Sequence, residues 1–303
     1  MSWIFYYLIF PGFLFSVAAG LLLVWLDRKV SARLQWRVGP PWCQGFIDII
    51  KLFGKETILP QRAGWVFLAA PYLGFLSLVL ASTMIGRSLF FLQENFFGDL
   101  IVVLYVMVMP AIALMIGASS SCNPLAAIGA SREMKLVLGY ELPFLLSIIT
   151  VIIRSGGAIK INEILHYQLI HGSHLISYSG ALAFIATLFC AQAKIGLGPF
   201  DVSEAEQEIM AGALIEYSGI PLAIFKMTKA LLLYTLPLFL VVLFLGRDIS
   251  PLMLALKLIL IVIVFILIKN TNPRLRIDQA LKFFWGPVTL LALTSVALAA
   301  IGL

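Results

Sequence analysis

Residues 251–268 read PLMLALKLILIVIVFILI, eighteen positions with a single charge, Lys257, and no polar face. As a helix this stretch rises about 27 Å at 1.5 Å per residue, close to the ~30 Å of bilayer hydrocarbon. Helices packed on a soluble core keep one polar side; a stretch apolar all round needs lipid or protein on every side. Working outward, seven more segments of the same kind lie at about 4–26, 65–86, 99–118, 134–153, 175–193, 220–246 and 282–302. Together they predict an all-α integral membrane protein with eight transmembrane helices, in one polytopic membrane domain over 1–303. Pro237, inside the sixth segment, is tolerated there as a kink. The first segment follows no basic stretch and is too long for a signal-peptide core, so it is read as a retained helix.

Composition agrees: 61% of the side chains are hydrophobic and 12% charged, against about 25% charged in soluble domains. A sizeable soluble domain is excluded. The three cysteines, Cys43, Cys122 and Cys190, show no C-x-x-C spacing. That rules out a disulfide scaffold, a cysteine-bound zinc site or an iron–sulfur cluster within this chain alone, so no cofactor is expected in it. The net charge of +6 reports orientation and not a nucleic-acid partner. The loops after spans 1, 3, 5 and 7, with their flanks, carry fourteen Lys and Arg residues, Lys194 among them, while the other side carries four: Arg87, Arg154, Lys160 and Arg247. The positive-inside rule then expects odd-numbered loops in the cytoplasm and both termini outside, in the cell (cytoplasmic or inner) membrane.

Two cytoplasm-side segments are more than connectors. Residues 42–57, WCQGFIDIIKLFGKET, place Phe46, Ile49, Ile50 and Phe53 at helical spacing, with Asp48, Lys51 and Lys55 on other faces. This predicts an amphipathic helix at the membrane interface. Residues 199–219, PFDVSEAEQEIMAGALIEYSG, hold Asp201, Glu204, Glu206, Glu208 and Glu216, five of the fifteen acids. An unbroken helix from Ser203 to Gly246 would run about 65 Å, twice the hydrocarbon thickness. A break is therefore expected at Gly219-Ile220-Pro221, leaving an acidic helical loop before helix 6.

Two readings of these acids stand at this point. Ser203-Glu-Ala-Glu206 fits a capping box, and acids in a first turn suit the helix dipole. Glu208 and Glu216 lie beyond that turn. Asp201, Glu204 and Glu208 share one face if the helix starts early enough, and like charges so close would raise some of their pKa values toward neutrality, poising them to pass protons. Glu141 is the second signal: placed about 12 Å into a helix beginning near Glu133, it is an acid at a depth that calls for a protein interior or a water-filled path. Lys226, Lys229 and Lys257 also sit inside spans, either snorkelling, or in static ion pairs, or on the same path. His166, His171 and His174 fall in an external loop and read as solvated. With no phosphate loop, nucleophile elbow or HExxH present, the chain does not read as an enzyme by itself.

The motifs then become specific. Asp27-Arg28-Lys29, Arg37-Val-Gly-Pro40, Asp48-Ile-Ile-Lys51-Leu followed by Lys55-Glu56, Tyr140-Glu141-Leu-Pro143, and Phe200-Asp201-x-x-Glu204-Ala-Glu206-x-Glu208 leading to Glu216-Tyr217-Ser218-Gly219 resemble the membrane anchor subunit of respiratory complex I. The resemblance implies eight membrane helices and an acidic coupling segment facing a peripheral arm. Carried over residue by residue, it implies an ion-coupling path through Glu141, Asp201, Glu204, Glu206, Glu208, Glu216, Lys226 and Lys229. It also implies an arm interface at Asp27, Arg28, Arg33, Arg37, Asp48, Lys51, Lys55, Glu56 and Arg132. Three departures from the quinone-reducing pattern accompany it: Gly39-Pro40-Pro41-Trp42 runs straight into Cys43-Gln44, Lys229 stands where an acid is common, and Asp27 replaces a usual Glu. These look like the branch found in membrane-bound, energy-converting nickel–iron (NiFe) hydrogenases and formate hydrogenlyase. That branch implies hydrogenase-like large and small subunits carrying iron–sulfur (Fe–S) clusters and a NiFe centre, with antiporter-like subunits beside the chain in the lipid bilayer. The alternatives are a complex I subunit lining a quinone site, or a stand-alone transporter, for which the internal repeat is missing.

Overall fold

A computed structural model describes residues 2–60, 63–90 and 100–302, with side chains described from Phe5 on and excepting Glu206 and Gln207. The described residues form helices and turns only: α1 (Ser2–Leu8), α2 (Phe13–Leu34), α3 (Gln44–Phe53), α4 (Trp65–Phe90), α5 (Leu100–Ser120), α6 (Pro124–Arg154), α7 (Ile161–His171), α8 (Tyr178–Ile195), α9 (Glu206–Ile209), α10 (Gly219–Phe244), α11 (Pro251–Thr271), α12 (Ile277–Phe283) and α13 (Thr289–Ile301). Eight stretches are long and apolar enough to cross a bilayer, as expected: Phe5–Leu34, α4, α5, α6, α8, α10, α11 and Ile277–Ile301.

Several ends differ from the sequence reading, and in the same direction. The first span runs on to Leu34 through Asp27, Arg28, Lys29 and Arg33, because charged residues are good helix formers and basic ones suit the negative end of the dipole. The fourth begins at Pro124, ten residues early. Asn123 caps it by accepting from the Leu125 amide at 2.9 Å, and Pro124 occupies the first turn, where its missing N–H costs nothing. Ser131, Arg132 and Glu133 therefore lie inside α6, and Glu141 sits about 25 Å from its start instead of 12 Å. The last span starts at Ile277 and passes Pro287 through a π turn, Phe284–Val288; the Thr289 hydroxyl takes up the Phe284 carbonyl at 2.6 Å.

α10 is the axis of the bundle. Its most apolar window is 94% buried, against 33–67% for the other seven, and it packs on α2, α3, α4, α8 and α11. The partly exposed helices around it present apolar residues outward, such as Leu73 and Leu76 on α4 and Leu256 and Leu260 on α11. Such faces suit lipid tails.

The loop after α6 is solvated at His166 and His171, which are exposed, but not throughout. It contains α7, whose Gln168 is fully buried and closes the end of α10: its amide donates to the Val242 and Leu243 carbonyls at 2.8 and 3.1 Å, and its oxygen accepts from the Gly246 amide at 2.7 Å. His171 and His174 stack on Tyr167 with ring centroids 4.2 and 5.5 Å away. His174 is buried, and that burial, with the positive charge of Arg154, pushes its pKa down to about 4.

Candidate functional site

The acidic segment breaks where expected, at Gly219, and is far less helical than a capping box would make it. Only the four residues of α9 are α-helical, Ala205 precedes them, and no side chain caps them. Asp201 lies in irregular chain and Glu204 in a turn ahead of α9, so the shared acidic face does not form. Each acid meets a different partner. Asp201 accepts from Arg274 (Nε to Oδ1, 2.9 Å), Glu204 pairs with Lys229 at 2.6 Å, Glu208 with Arg132 on α6, and Glu216 accepts from Asn123 at the start of α6. The expectation of mutually repelling carboxylates is corrected: four contacts to α6, α10 and the loop after α11 separate them. The Glu206 side chain lies outside the described residues.

Glu216-Tyr217-Ser218-Gly219 divides its contacts in the same way. Tyr217 stacks on Phe67 of α4 with centroids 4.1 Å apart and donates to the Phe67 carbonyl at 3.1 Å; burial pushes its phenol pKa up. Ser218 accepts from the Ile58 amide at 2.9 Å. Gly219, at φ +55°, lies so close to the chain after α3 that a Cβ would sit 2.8 Å from the Glu56 carbonyl oxygen, which only glycine tolerates. Gly129 on α6 makes a similar approach: a Cβ there would sit 2.5 Å from the Ala213 amide nitrogen.

Deeper in the bundle, Glu141 is paired with Lys194 at 2.8 Å, the Lys194 side chain being 2% exposed and that of Glu141 21%. The Lys194 ammonium also lies 4.8 Å from the centroid of Phe144 and 5.7 Å from that of Tyr140. A cation so enclosed requires a carboxylate partner, and the aromatic faces add a smaller attraction. Lys194, a loop residue by the sequence reading, belongs to the last turn of α8 and points inward; the left-handed Gly196 that ends the helix is the one local sign of it.

Between α2, α3, α5, α6, the end of α8, the acidic segment and α10 lies a cavity of about 320 Å³. Glu133, Lys194, Glu204, Lys229, Arg28, Asp48 and Lys226 are its charged lining residues. Glu133 and Lys194 are buried, Arg28 and Lys226 exposed. Glu133 has the Ser203 hydroxyl as a hydrogen-bond partner and the charges of Glu204 and Lys229 nearby. Arg28 and Asp48 pair at 2.9 Å. Partial burial would raise the Asp48 carboxyl, but hydrogen bonds from Arg28 and Gln44 and the charges of Arg28 and Lys226 outweigh it, holding the pKa below the usual value. The cavity thus gathers Glu204, Lys226 and Lys229 from the expected path with Arg28 and Asp48 from the expected interface, and adds Glu133 and Lys194, which sequence reasoning did not assign to a site.

The other expected residues divide. Asp201, Glu208 and Glu216 do not line the cavity. Asp27 is buried and paired with Lys269 of α11 at 2.8 Å, so this side chain is turned into the bundle. Arg132 is held by Glu208. Arg33, Arg37, Lys51, Lys55 and Glu56 are exposed. Among the described residues no group of three or more His, Cys, Asp or Glu could hold a metal ion.

An acidic segment pinned to α6 and α10 beside a charged cavity is the arrangement to set against known proteins. The family model for NADH dehydrogenase matches residues 6–300. The chain belongs to this family. Its curated relatives include the H subunit of the NADH-quinone oxidoreductase of Thermomicrobium roseum, 33% identical over 94% of this chain and 92% of the relative, and that of Dehalococcoides mccartyi, 30% identical over 94% and 83%. Among solved structures, a chain of the membrane-bound sulfane sulfur reductase, an archaeal respiratory membrane complex, is 31% identical and covers 94% of this chain and 96% of that one, with a TM-score of 0.86. Family membership and fold agree on a multi-pass membrane subunit with eight apolar helices.

Proposed function

We propose that this chain is the membrane anchor and coupling subunit of a multisubunit complex I-like redox complex, and that the complex is of the membrane-bound hydrogenase type. The observation that carries the coupling role is the run of opposed charges from the acidic segment into the bundle: Glu204–Lys229, then Glu133, then Lys194–Glu141, with the first four of these side chains along one cavity wall. A charge change in an arm docked on the acidic segment alters the pairing of Glu204 with Lys229. At low dielectric a unit charge a few ångströms away acts strongly on the next member, so the change is passed inward toward Glu141. In this reading the peripheral arm supplies the Fe–S clusters and a NiFe centre, the antiporter-like subunits carry H⁺ or Na⁺, and the chain itself is non-catalytic. Support for the hydrogenase type comes from Lys229 in the cavity wall and from the likeness to a complex named for the reduction of sulfane sulfur and not of a quinone.

The test is ion translocation by the assembled complex in vesicles. E141Q or E204Q should abolish it while the complex remains intact; unchanged translocation would refute the relay. Isolation of the complex in mild detergent tests the type, which requires nickel in a copurifying large subunit. The second reading, a quinone-site subunit of an NADH-quinone oxidoreductase, is favoured by the curated relatives' names. It requires a flavin-containing, NADH-oxidising arm.

A further inference from the structure

Among the described residues three that are not glycine have a positive φ: Trp36 (+60°), Cys122 (+56°) and Met210 (+58°). All three are exposed, and they follow spans 1, 3 and 5, at the end of the bundle that carries the acidic segment. At the opposite end the positive-φ positions among the described residues are Gly156, Gly157, Gly172 and Gly302. A residue with a Cβ resists this backbone, a bulky one most of all, and positions that keep such strain cluster where a protein works. Trp36 is the extreme case. It closes α2 through two bonds, its own amide donating to the Arg33 carbonyl at 3.2 Å and the Arg37 amide to the Ala32 carbonyl at 2.7 Å, a turn whose left-handed residue is usually glycine. Its side chain is 98% exposed, with exposed Leu34 and Val38 on either side of it in the chain, so the fold gains no packing from the ring it strains to display.

The tip of α2 stands clear of the lipid. The apolar run of the first span ends at Leu26 and α2 continues to Leu34, about 12 Å farther at 1.5 Å per residue, whereas the headgroup layer adds only about 6 Å per leaflet. An indole of the membrane's aromatic belt lies at that layer; Trp36 lies beyond it. Gln35 donates to Asn270 at the end of α11 at 3.3 Å, and the loop after α11 carries Arg274, which holds Asp201. The tip and the acidic segment therefore belong to one surface. Arg33 and Arg37 are exposed on either side of Trp36 in the chain, and neither pairs with a carboxylate among the described residues. The helix dipole accounts for cations at this end; it does not account for the indole. We propose that the tip of α2 is a docking knob for the peripheral arm, with Trp36 seated in an apolar pocket of an arm subunit and carboxylates at the rim of that pocket taking Arg33 and Arg37. This rests on the reading that such an arm docks at the acidic segment. Tryptophan and arginine dominate the energetics of protein interfaces, and a ring held out by a fixed turn loses little freedom on binding.

The test is retention of the soluble subunits by the complex isolated in mild detergent through a tag on this chain. Glycine suits the turn better than tryptophan, so W36G separates docking from folding. The purified full chain carrying W36G should melt no lower than wild type in mixed micelles, while the arm's dissociation constant in the complex rises at least tenfold. W36F should hold the arm with intermediate strength, and Y178A, which removes an exposed ring at the opposite end of the bundle, should behave as wild type. A lowered melting midpoint in W36G would make Trp36 part of the fold and overturn the proposal, as would equal losses of the arm in W36G and Y178A. Quenching by brominated phospholipid of the fluorescence that W36F removes would assign the ring to the bilayer and overturn it too. A wild-type chain that brings down no soluble subunit refutes the arm reading itself; soluble subunits held equally by wild type and W36G refute this inference alone.

Discussion

Replacing Lys194 with methionine removes the buried cation that faces Tyr140 and Phe144 and leaves the Glu141 carboxylate without its 2.8 Å partner. Breaking a buried ion pair by truncating one side costs about 3–5 kcal/mol, since the remaining charge has lost both water and partner. The Lys194 side chain is 2% exposed, so solvent offers it little screening; Glu141, at 21%, retains some access. K194M should therefore fall toward the lower half of that range, because the orphaned group is the wetter one. E141Q orphans the drier ammonium and should cost more. The double variant, K194M with E141Q, leaves a neutral amide and a thioether of similar volume and should recover most of the loss, so the two single costs exceed the double by about 2 kcal/mol or more. Unfolding of the purified chain in mixed micelles, followed by helix content, measures all four proteins. Additive single costs, or a double variant as unstable as the sum, would refute the buried pair.

Gly129 sets a second test: G129A drives a Cβ to within 2.5 Å of the Ala213 backbone, which cannot swing away. A cost of about 1–3 kcal/mol is expected, with faster proteolysis between Pro199 and Gly219 than in wild type. His174 sets a third. Its folded pKa of about 4 lies below the ordinary 6.5, so the unfolded chain binds the extra proton first. Its contribution is fully present above pH 6.5 and is lost as pH falls toward 4, by up to about 3 kcal/mol at 1.36 per unit. H174Q should flatten the acid side of the stability profile between those values, measured by thermal midpoints across pH. The Arg28–Asp48 pair should behave oppositely to a buried pair: both side chains are more than a third exposed or close to it, so D48N should change stability by less than about 1 kcal/mol.

What the sequence made legible follows from range. Eight apolar stretches announce themselves within windows of twenty residues, and Gly219-Ile220-Pro221 announces its break because glycine and proline act locally. The ends are less legible, because a charge in the sequence does not mark the end of a helix. Arg33 and Glu133 continue α2 and α6, since leaving the hydrocarbon does not oblige a helix to stop; its backbone bonds are satisfied in water and lipid alike. The loop after α6 hides its buried part for a related reason: Gln168 has nothing local to mark it, and its three bonds reach 74 to 78 residues ahead.

The charged site shows the same limit more sharply. A clustered sequence suggests clustered carboxylates, but the four acids of the segment whose side chains are described are separated, each onto its own cation or amide. Those partners, Arg132, Lys229, Arg274 and Asn123, lie 25 to 93 positions away and carry no mark of the pairing. Lys194 makes the point in reverse. As the last basic residue before a glycine it reads as a loop charge, yet Glu141 lies 53 residues earlier on a neighbouring helix, and the pair exists only because α6 and α8 pack together. The sequence can therefore nominate a buried acid from the cost of its burial, as it did Glu141. It cannot nominate that acid's counterion, because the cost is relieved by packing and not by sequence proximity. For a protein whose few charges are opposed across helices, the chemistry is a property of the bundle, and a substitution on one helix must be read together with its partner on another.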